Sequence, residues 1–268
     1  MSLIHPTAVI ADGAEVDKTA RIGPFCVIGK NVKIGAESVL EAHVVIDGYT
    51  TLGKGNHIYP FASLGQPPQD LKFKGENTQL ILGDNNTIRE YVTMNPGTEG
   101  GGGKTVIGDG NLFMALAHIA HDCIIGNNCV FANNATMAGH VEVGDHAVLG
   151  GLCGVHQFVR IGRHAIVGGA SGVAHDVIPY GSVIGNRAHL GGLNLVGLKR
   201  RGFSRDVIHK MRQAYRMLFS TEGTLADRIK DVNELFPNVS EVTEILDFIL
   251  DSKRGVCTPQ GKYDNGQA

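Results

Sequence analysis

The chain has 268 residues, enough for one large domain or a domain with an appendage. Its 37 glycines, lack of Trp and 6% aromatic content exclude a core built on large side chains and favour many copies of small branched ones. A net charge of -2 excludes a globally basic nucleic-acid binder, and without a run of 18 apolar residues no integral membrane segment is expected. The N-terminus lacks a basic stretch followed by an apolar one, so no secretory signal is expected and the cytoplasm is the expected compartment.

From the N-terminus every sixth residue is aliphatic: Ile4, Ile10, Val16, Ile22, Ile28, Ile34, Leu40, Ile46, Leu52, Ile58 and Leu64. The phase returns at Leu82, Ile88 and Met94, slips by one, and runs from Ile107 through Phe113, Ile119, Ile125, Phe131, Met137, Val143, Leu149, Val155, Ile161, Val167 and Val173. A period of six suits neither an amphipathic helix nor a simple strand. It suits a triangular coil with one short strand per hexad and 18 residues per turn. The aliphatic residue at position i and the small one at i+4 should point inward. Glycine or a small polar residue at i+1 should turn the corner, where a positive φ is expected. Coils should stack about 4.8 Å apart, each burying its apolar side against its neighbours. The breaks at about 66–81 and 95–106 read as loops thrown out of the stack.

This pattern resembles the left-handed parallel β-helix proteins with the hexapeptide motif. Left-handedness is what the resemblance implies, since general crossover chirality favours the other hand. The resemblance also implies a homotrimer with sites between neighbouring prisms. The fold expected is mainly β, a left-handed parallel β-helix of hexapeptide repeats over residues 1–186, followed by a C-terminal α-helical domain over 187–268. Cys26, Cys123, Cys129 and Cys153 all fall at i+4, as small buried hydrophobes. Cys257 lies outside the repeat.

Beyond Gly185 the hexads stop. Helices are expected over 194–201, over 204–220 with Ser204 as N-cap, over 224–235 and over 240–250, with a loose segment from about Lys253. Between Arg187 and Arg216 eight Lys/Arg stand against one acid, a local charge of +7. Such a stripe is usually a solvated face. Beside an inter-subunit cleft it also suits phosphate or an acidic partner.

Twelve histidines are present, and most need no function. His5, His43 and His57 fall in unremarkable coils, and His146 and His164, both at i+3, read as solvated faces. The segment 117–123, with His118, His121 and Asp122, differs. Steps of 18 residues carry His121 to Gly139 and then to Gln157, so the three share one column. His118 lies on the same turn, and His140 and His156 flank the column. Histidine, an exposed glycine N–H and an amide are the equipment for acyl transfer to a hydroxyl. A neutral histidine removing the hydroxyl proton contributes about 10²–10⁴-fold, and one oxyanion donor on the order of 10²–10³. Asp122 is suited to orient His121. Neighbours on a strand point to opposite faces, so that bond requires the corner between hexads, or another acid.

Five segments then carry a closer resemblance: Gln69-Asp70-Leu71-Lys72-Phe73, Ala117-His118-Ile119-Ala120-His121-Asp122-Cys123, Ala138-Gly139-His140-Val141, Val155-His156-Gln157-Phe158 and Gly197-Leu198-Lys199-Arg200-Arg201-Gly202-Phe203. In this order they resemble the acyl-[acyl-carrier-protein]–UDP-N-acetylglucosamine O-acyltransferase family, which performs the first committed step of lipid A synthesis. The resemblance implies that His121 is the general base, Asp122 its partner and Gly139 the oxyanion donor. It places Asp70, Lys72, His118, His140 and Gln157 on the glucosamine and diphosphate, with Gln69 among the same substrate-binding positions. It places His156 near the uridine or pantetheine side, and Asn194, Arg200 and Arg201 on the nucleotide, the phosphates or the carrier protein. Gly169 matches an acyl-chain ruler. The partners implied are a 3-hydroxyacyl-carrier protein and UDP-N-acetylglucosamine, with no metal or other cofactor. Val196 departs from the family where many members carry Glu, and Asn95-Pro96-Gly97 replaces a turn that usually contains a basic residue. A 3-amino sugar nucleotide stays open as the acceptor.

Three other readings stand beside this one. A later N-acyltransferase of the same pathway carries a domain before its repeats, whereas the hexads here start at Ile4. A zinc hydratase of the γ-carbonic-anhydrase type would use His118, His121 and His140 as ligands, and leaves the 69–73 loop and the basic tail without purpose. A non-catalytic scaffold is the third.

Overall fold

The computed structural model describes residues 3–260. The aliphatic series points inward as its period requires: Ile22, Ile28, Leu40, Ile46 and Ile58 are all buried. So are the small residues at i+4, among them Ala20, Cys26, Val32 and Val44. Strands of two residues recur once per hexad and pair in parallel with the strand one turn on, as Val9 with Val27 and His118 with Thr136. Among the described residues this yields three sheets, the faces of a left-handed prism. The first face has nine strands, from Val9–Ile10 to Gly172–Val173. The second has eight, from Glu15–Val16 to Arg160–Ile161. The third has ten, beginning at Arg21–Ile22.

Two details of the corner differ from expectation. The left-handed residue sits at i+3, not i+1: Phe25 has φ 58°, Asp122 60° and His140 61°. Glycine at i+1 is instead a matter of space. A Cβ on Gly35 would lie 2.5 Å from the carbonyl oxygen of Gly53 on the next coil. Gly65, with φ +79°, does use glycine's freedom, where the first excursion leaves the stack.

The excursions preserve the register. Ser63 pairs with Thr93, and Thr93 with His118. Both end sooner than the hexad count suggests, because four-residue strands at Gln79–Leu82 and Lys104–Ile107 rejoin the second face.

The prism closes on a feature the hexads do not announce. Gly181–Ile184 continues the third face, and His189–Leu193 pairs with it antiparallel. Two glycines in the second of these strands hide its β character. Among the described residues four helices follow: α1 (Leu195–Arg200), α2 (Arg205–Leu218), α3 (Leu225–Leu235) and α4 (Ser240–Leu250). Side chains cap three of them: Asn194 accepts from the Gly197 N–H, Ser204 from Val207, and Thr224 forms a reciprocal capping box with Asp227. α2 buries Ile208, Met211, Ala214 and Leu218, one apolar stripe at helical spacing.

The segment after α4 is not loose as expected. The Ser252 hydroxyl donates to Asp176 at 2.8 Å, Asp176 bridges to Val256, and Cys257 is buried. The rest of the expected loose tail, 261–268, lies outside the described residues. His146 and His164 are not a solvated face either. His164 is 7% exposed, stacked between His146 and Tyr180 and met edge-on by Phe203. The C-terminal part roofs that corner. Burial first, then the charges of His146 and Arg201, lowers the His164 pKa to about 4.

Candidate functional site

The hexad that starts at Ile119 places His121 just before the corner and Asp122 on it. The left-handed turn at Asp122 brings the two adjacent side chains together, with His121 Nδ1 2.8 Å from Asp122 Oδ2. The corner therefore provides the bond that a straight strand forbids. The Asp122 side chain is fully buried, where an unpaired carboxylate is costly. Its Oδ1 accepts from the Thr98 N–H at 2.9 Å, and its Oδ2 also accepts from the Thr98 hydroxyl at 2.6 Å. Its own N–H donates to Thr105 Oγ1 at 2.8 Å. A carboxylate on Nδ1 selects the tautomer that carries its proton there, leaving Nε2 as a free acceptor.

One coil on, the imidazole packs directly over Gly139. A Cβ there would lie 2.5 Å from His121 Cε1. Among the described residues the Gly139 N–H has no acceptor, while its carbonyl accepts from Phe158. His140 lies behind, edge-on to His121, stacked on Phe158, and with Nε2 3.7 Å from Asp122 Oδ2. Burial lowers its pKa, and the Asp122 charge opposes that. His118 Nδ1 meets Thr93 Oγ1 at 2.7 Å. Burial, with the neighbouring His121, lowers the His118 pKa also.

His118, His121 and Gly139 open on a groove of about 2170 Å³ along the first face, with His140 and Asp122 behind its wall. Gln69, His118, His121, Gly139, His156 and Gln157 line it. The returning C-terminal segment lines it too, and Arg254 Nη2 comes within 3.3 Å of His156 Nδ1. A separate cleft of about 990 Å³ lies between α4 and the second face, with none of these histidines.

Other expected residues do not line this groove. Asp70 and Lys72 share a turn of the first excursion, the Lys72 N–H bonding Asp70 Oδ1, and the Asp70 charge reaches His140. Asn194 is buried, with Oδ1 capping α1 and Nδ2 donating to the His164 carbonyl. Arg201 donates to the His146 carbonyl at 2.9 Å, and Arg200 is an exposed residue of α1. Gly169 lies against Gly151 on the neighbouring coil. Val196, the departure noted above, is exposed.

Hexad arithmetic gives no sign of Thr93, Thr98, Thr105 or Arg254. Among the described residues, the His/Cys/Asp/Glu group with converging ligand atoms is His121, Asp122 and His140, all within 4.8 Å. It is not the three-histidine set of the hydratase reading, since His118 stands outside it. Both Asp122 oxygens are already engaged by Thr98 and His121. The cysteines are inert: burial pushes Cys123 and Cys129 to about 12 and Cys153 to about 11.

Comparison with known proteins identifies the family. A family profile described as bacterial transferase hexapeptide (six repeats) matches residues 13–48 and 104–139, and one described as UDP N-acetylglucosamine O-acyltransferase, domain 2, matches 176–257. The acyl-[acyl-carrier-protein]–UDP-N-acetylglucosamine O-acyltransferase of Thermodesulfovibrio yellowstonii is 51% identical over 96% of this chain and 100% of its own. The chain belongs to this family of acyltransferases. The enzyme of the same name from Rickettsia canadensis is 53% identical over 96% of this chain and 97% of its own. The solved structure of LpxA from Acinetobacter baumannii superposes with a TM-score of 0.92, at 43% identity, covering 95% of this chain and 99% of that one.

Proposed function

We propose that the protein transfers a 3-hydroxyacyl chain from acyl-carrier protein to the 3-hydroxyl of UDP-N-acetylglucosamine, the first step of lipid A biosynthesis. The observation that carries this reading is the His121–Asp122 pair, opening beside an unpaired Gly139 N–H on one wall of the groove. His121 Nε2 takes the proton of the sugar hydroxyl as its oxygen attacks the thioester carbonyl carbon. The oxyanion forms against the Gly139 N–H. Its collapse breaks the C–S bond, and the departing thiolate takes the proton from His121. Asp122 stabilises the imidazolium between these steps and needs no proton of its own. His118, His140 and Gln157 hold the glucosamine and diphosphate, and His156 the uridine or pantetheine side.

The protein acts as a homotrimer. Phe25, Phe61, Tyr91, Leu116 and Leu152 form an exposed apolar edge where the third face meets the first, and a neighbouring prism is its natural cover. Asp70, Lys72, Asn194, Arg200 and Arg201, which do not line their own groove, then serve a neighbour's. Gly169 leaves room for a long acyl chain. Among the described residues no helix is long and apolar enough to cross a membrane, and five free cysteines suit a reducing cytoplasm.

Mass spectrometry of the product formed from UDP-N-acetylglucosamine and a mixture of acyl-carrier proteins tests the reading. A single 3-hydroxyacyl ester is expected, and its absence overturns the assignment. In the same assay Gly169→Met should shorten the preferred chain.

A further inference from the structure

The second excursion ends its first turn at Thr98, which precedes the short 3-10 segment Glu99–Gly101. A threonine there ordinarily caps the turn that follows. Here its side chain makes no capping bond. Both its donors go to Asp122, the N–H to Oδ1 at 2.9 Å and the hydroxyl to Oδ2 at 2.6 Å. The backbone is fixed for this purpose, since the Thr98 carbonyl accepts from the N–H groups of Gly101 and Gly103 at 3.0 and 2.9 Å. Gly101 then rests on the carboxylate so closely that a Cβ would lie 2.1 Å from its carbon.

Oδ2 is also the oxygen that accepts from His121 Nδ1, and His140 Nε2 stands 3.7 Å from it. Asp122 therefore has two histidines within reach. We propose that Thr98 is a positioning residue that commits the Asp122 carboxylate to His121 rather than His140. The hydroxyl bond holds Oδ2 in the plane that meets Nδ1, and the backbone N–H pins the opposite oxygen. Without the hydroxyl, the backbone N–H still holds Oδ1 but Oδ2 can swing toward His140, and His121 loses the partner that fixes its tautomer. The inference rests on the reading of His121 as general base. It adds that the second excursion completes the dyad.

The test compares Thr98→Val, which replaces only the hydroxyl, with Thr98→Ser, which keeps it. Thr98→Val should lower kcat about 10- to 100-fold, the usual range for a hydrogen bond to a charged group, with KM for UDP-N-acetylglucosamine unchanged. Thr98→Ser should restore kcat. Nitrogen-15 spectra of labelled histidine should show His121 protonated at Nδ1 in wild type and Thr98→Ser, and a mixture of tautomers in Thr98→Val. A purely structural threonine would leave that spectrum alone. Should Thr98→Val not fold, Thr98→Ala, which keeps the N–H and adds no methyl against the carboxylate, is judged by the same criteria. A kcat within twofold of wild type and an unchanged tautomer overturn the proposal. His121→Ala, run alongside, separates the two layers. If it is inactive while Thr98→Val is normal, only the positioning role fails. If it stays active, the base assignment fails first.

Discussion

Two corners of the prism carry the same kind of stack at the same repeat position and do different things. Asp122, His140 and Phe158 stand at i+3 where the first face meets the second. His146, His164 and Tyr180 stand at i+3 where the second meets the third. The backbone is alike, left-handed at each residue. The first corner has a carboxylate clasped by an excursion loop and a groove in front of it. The second is closed by the C-terminal part and, among the described residues, no carboxylate is hydrogen-bonded to His164, whose buried Nδ1 has no partner among them. The repeat supplies positions, and the irregular segments decide which of them become chemistry.

The contrast is broken most severely at Asp122. Asp122→Asn keeps the shape and removes the charge, so kcat should fall about 10³–10⁴-fold, as when the acid of a histidine–acid pair is neutralised elsewhere. Steady-state kinetics at saturating substrates will show it, with protein yield and melting close to wild type. Gly139→Ala comes next. Its Cβ would lie 2.5 Å from His121 Cε1, which forces the ring aside. A misplacement of this kind costs about 10²-fold, read as kcat/KM for the acyl donor.

At the other corner the effect should be on stability alone. The folded-state pKa of His164 lies at about 4, below its ordinary value of 6.5. The unfolded chain therefore binds the proton more readily. His164's neutral-state stabilisation is complete above pH 6.5 and is lost as the pH falls toward 4. His164→Phe keeps the stacking and removes the orphaned nitrogen. It should flatten the dependence of Tm on pH across that window while leaving kcat at neutral pH unchanged. A variant whose Tm still falls with the wild-type slope would place the titration elsewhere.

Much of this was legible in the chain. A strict period of six announces the prism, and the 18-residue turn brings His121, Gly139 and Gln157 into one column before any coordinates exist. What was not legible lies where the period lapses. Thr98 and Thr105 belong to the second excursion and the strand that follows it, and nothing in their spacing points at Asp122. His189–Leu193 carries two glycines, which hide its strand character. The segment from Ser252 to Thr258 is polar and short, and its order comes from Asp176 and Leu190, far away in sequence. His164 shares its hexad position with solvated residues, and only the tertiary placement of Phe203 and the helices shows that it is buried. The glycines at i+1 were legible as a pattern but not as a cause, since close approach to the next coil is a property of the stack.

The central claim is that His121 is the base that the Asp122 corner presents to the groove. The direct measurement is acyl transfer by His121→Asn, together with its affinity for UDP-N-acetylglucosamine. The account predicts a loss of kcat of at least about 10²-fold with sugar-nucleotide binding retained. Full turnover by this variant would contradict it.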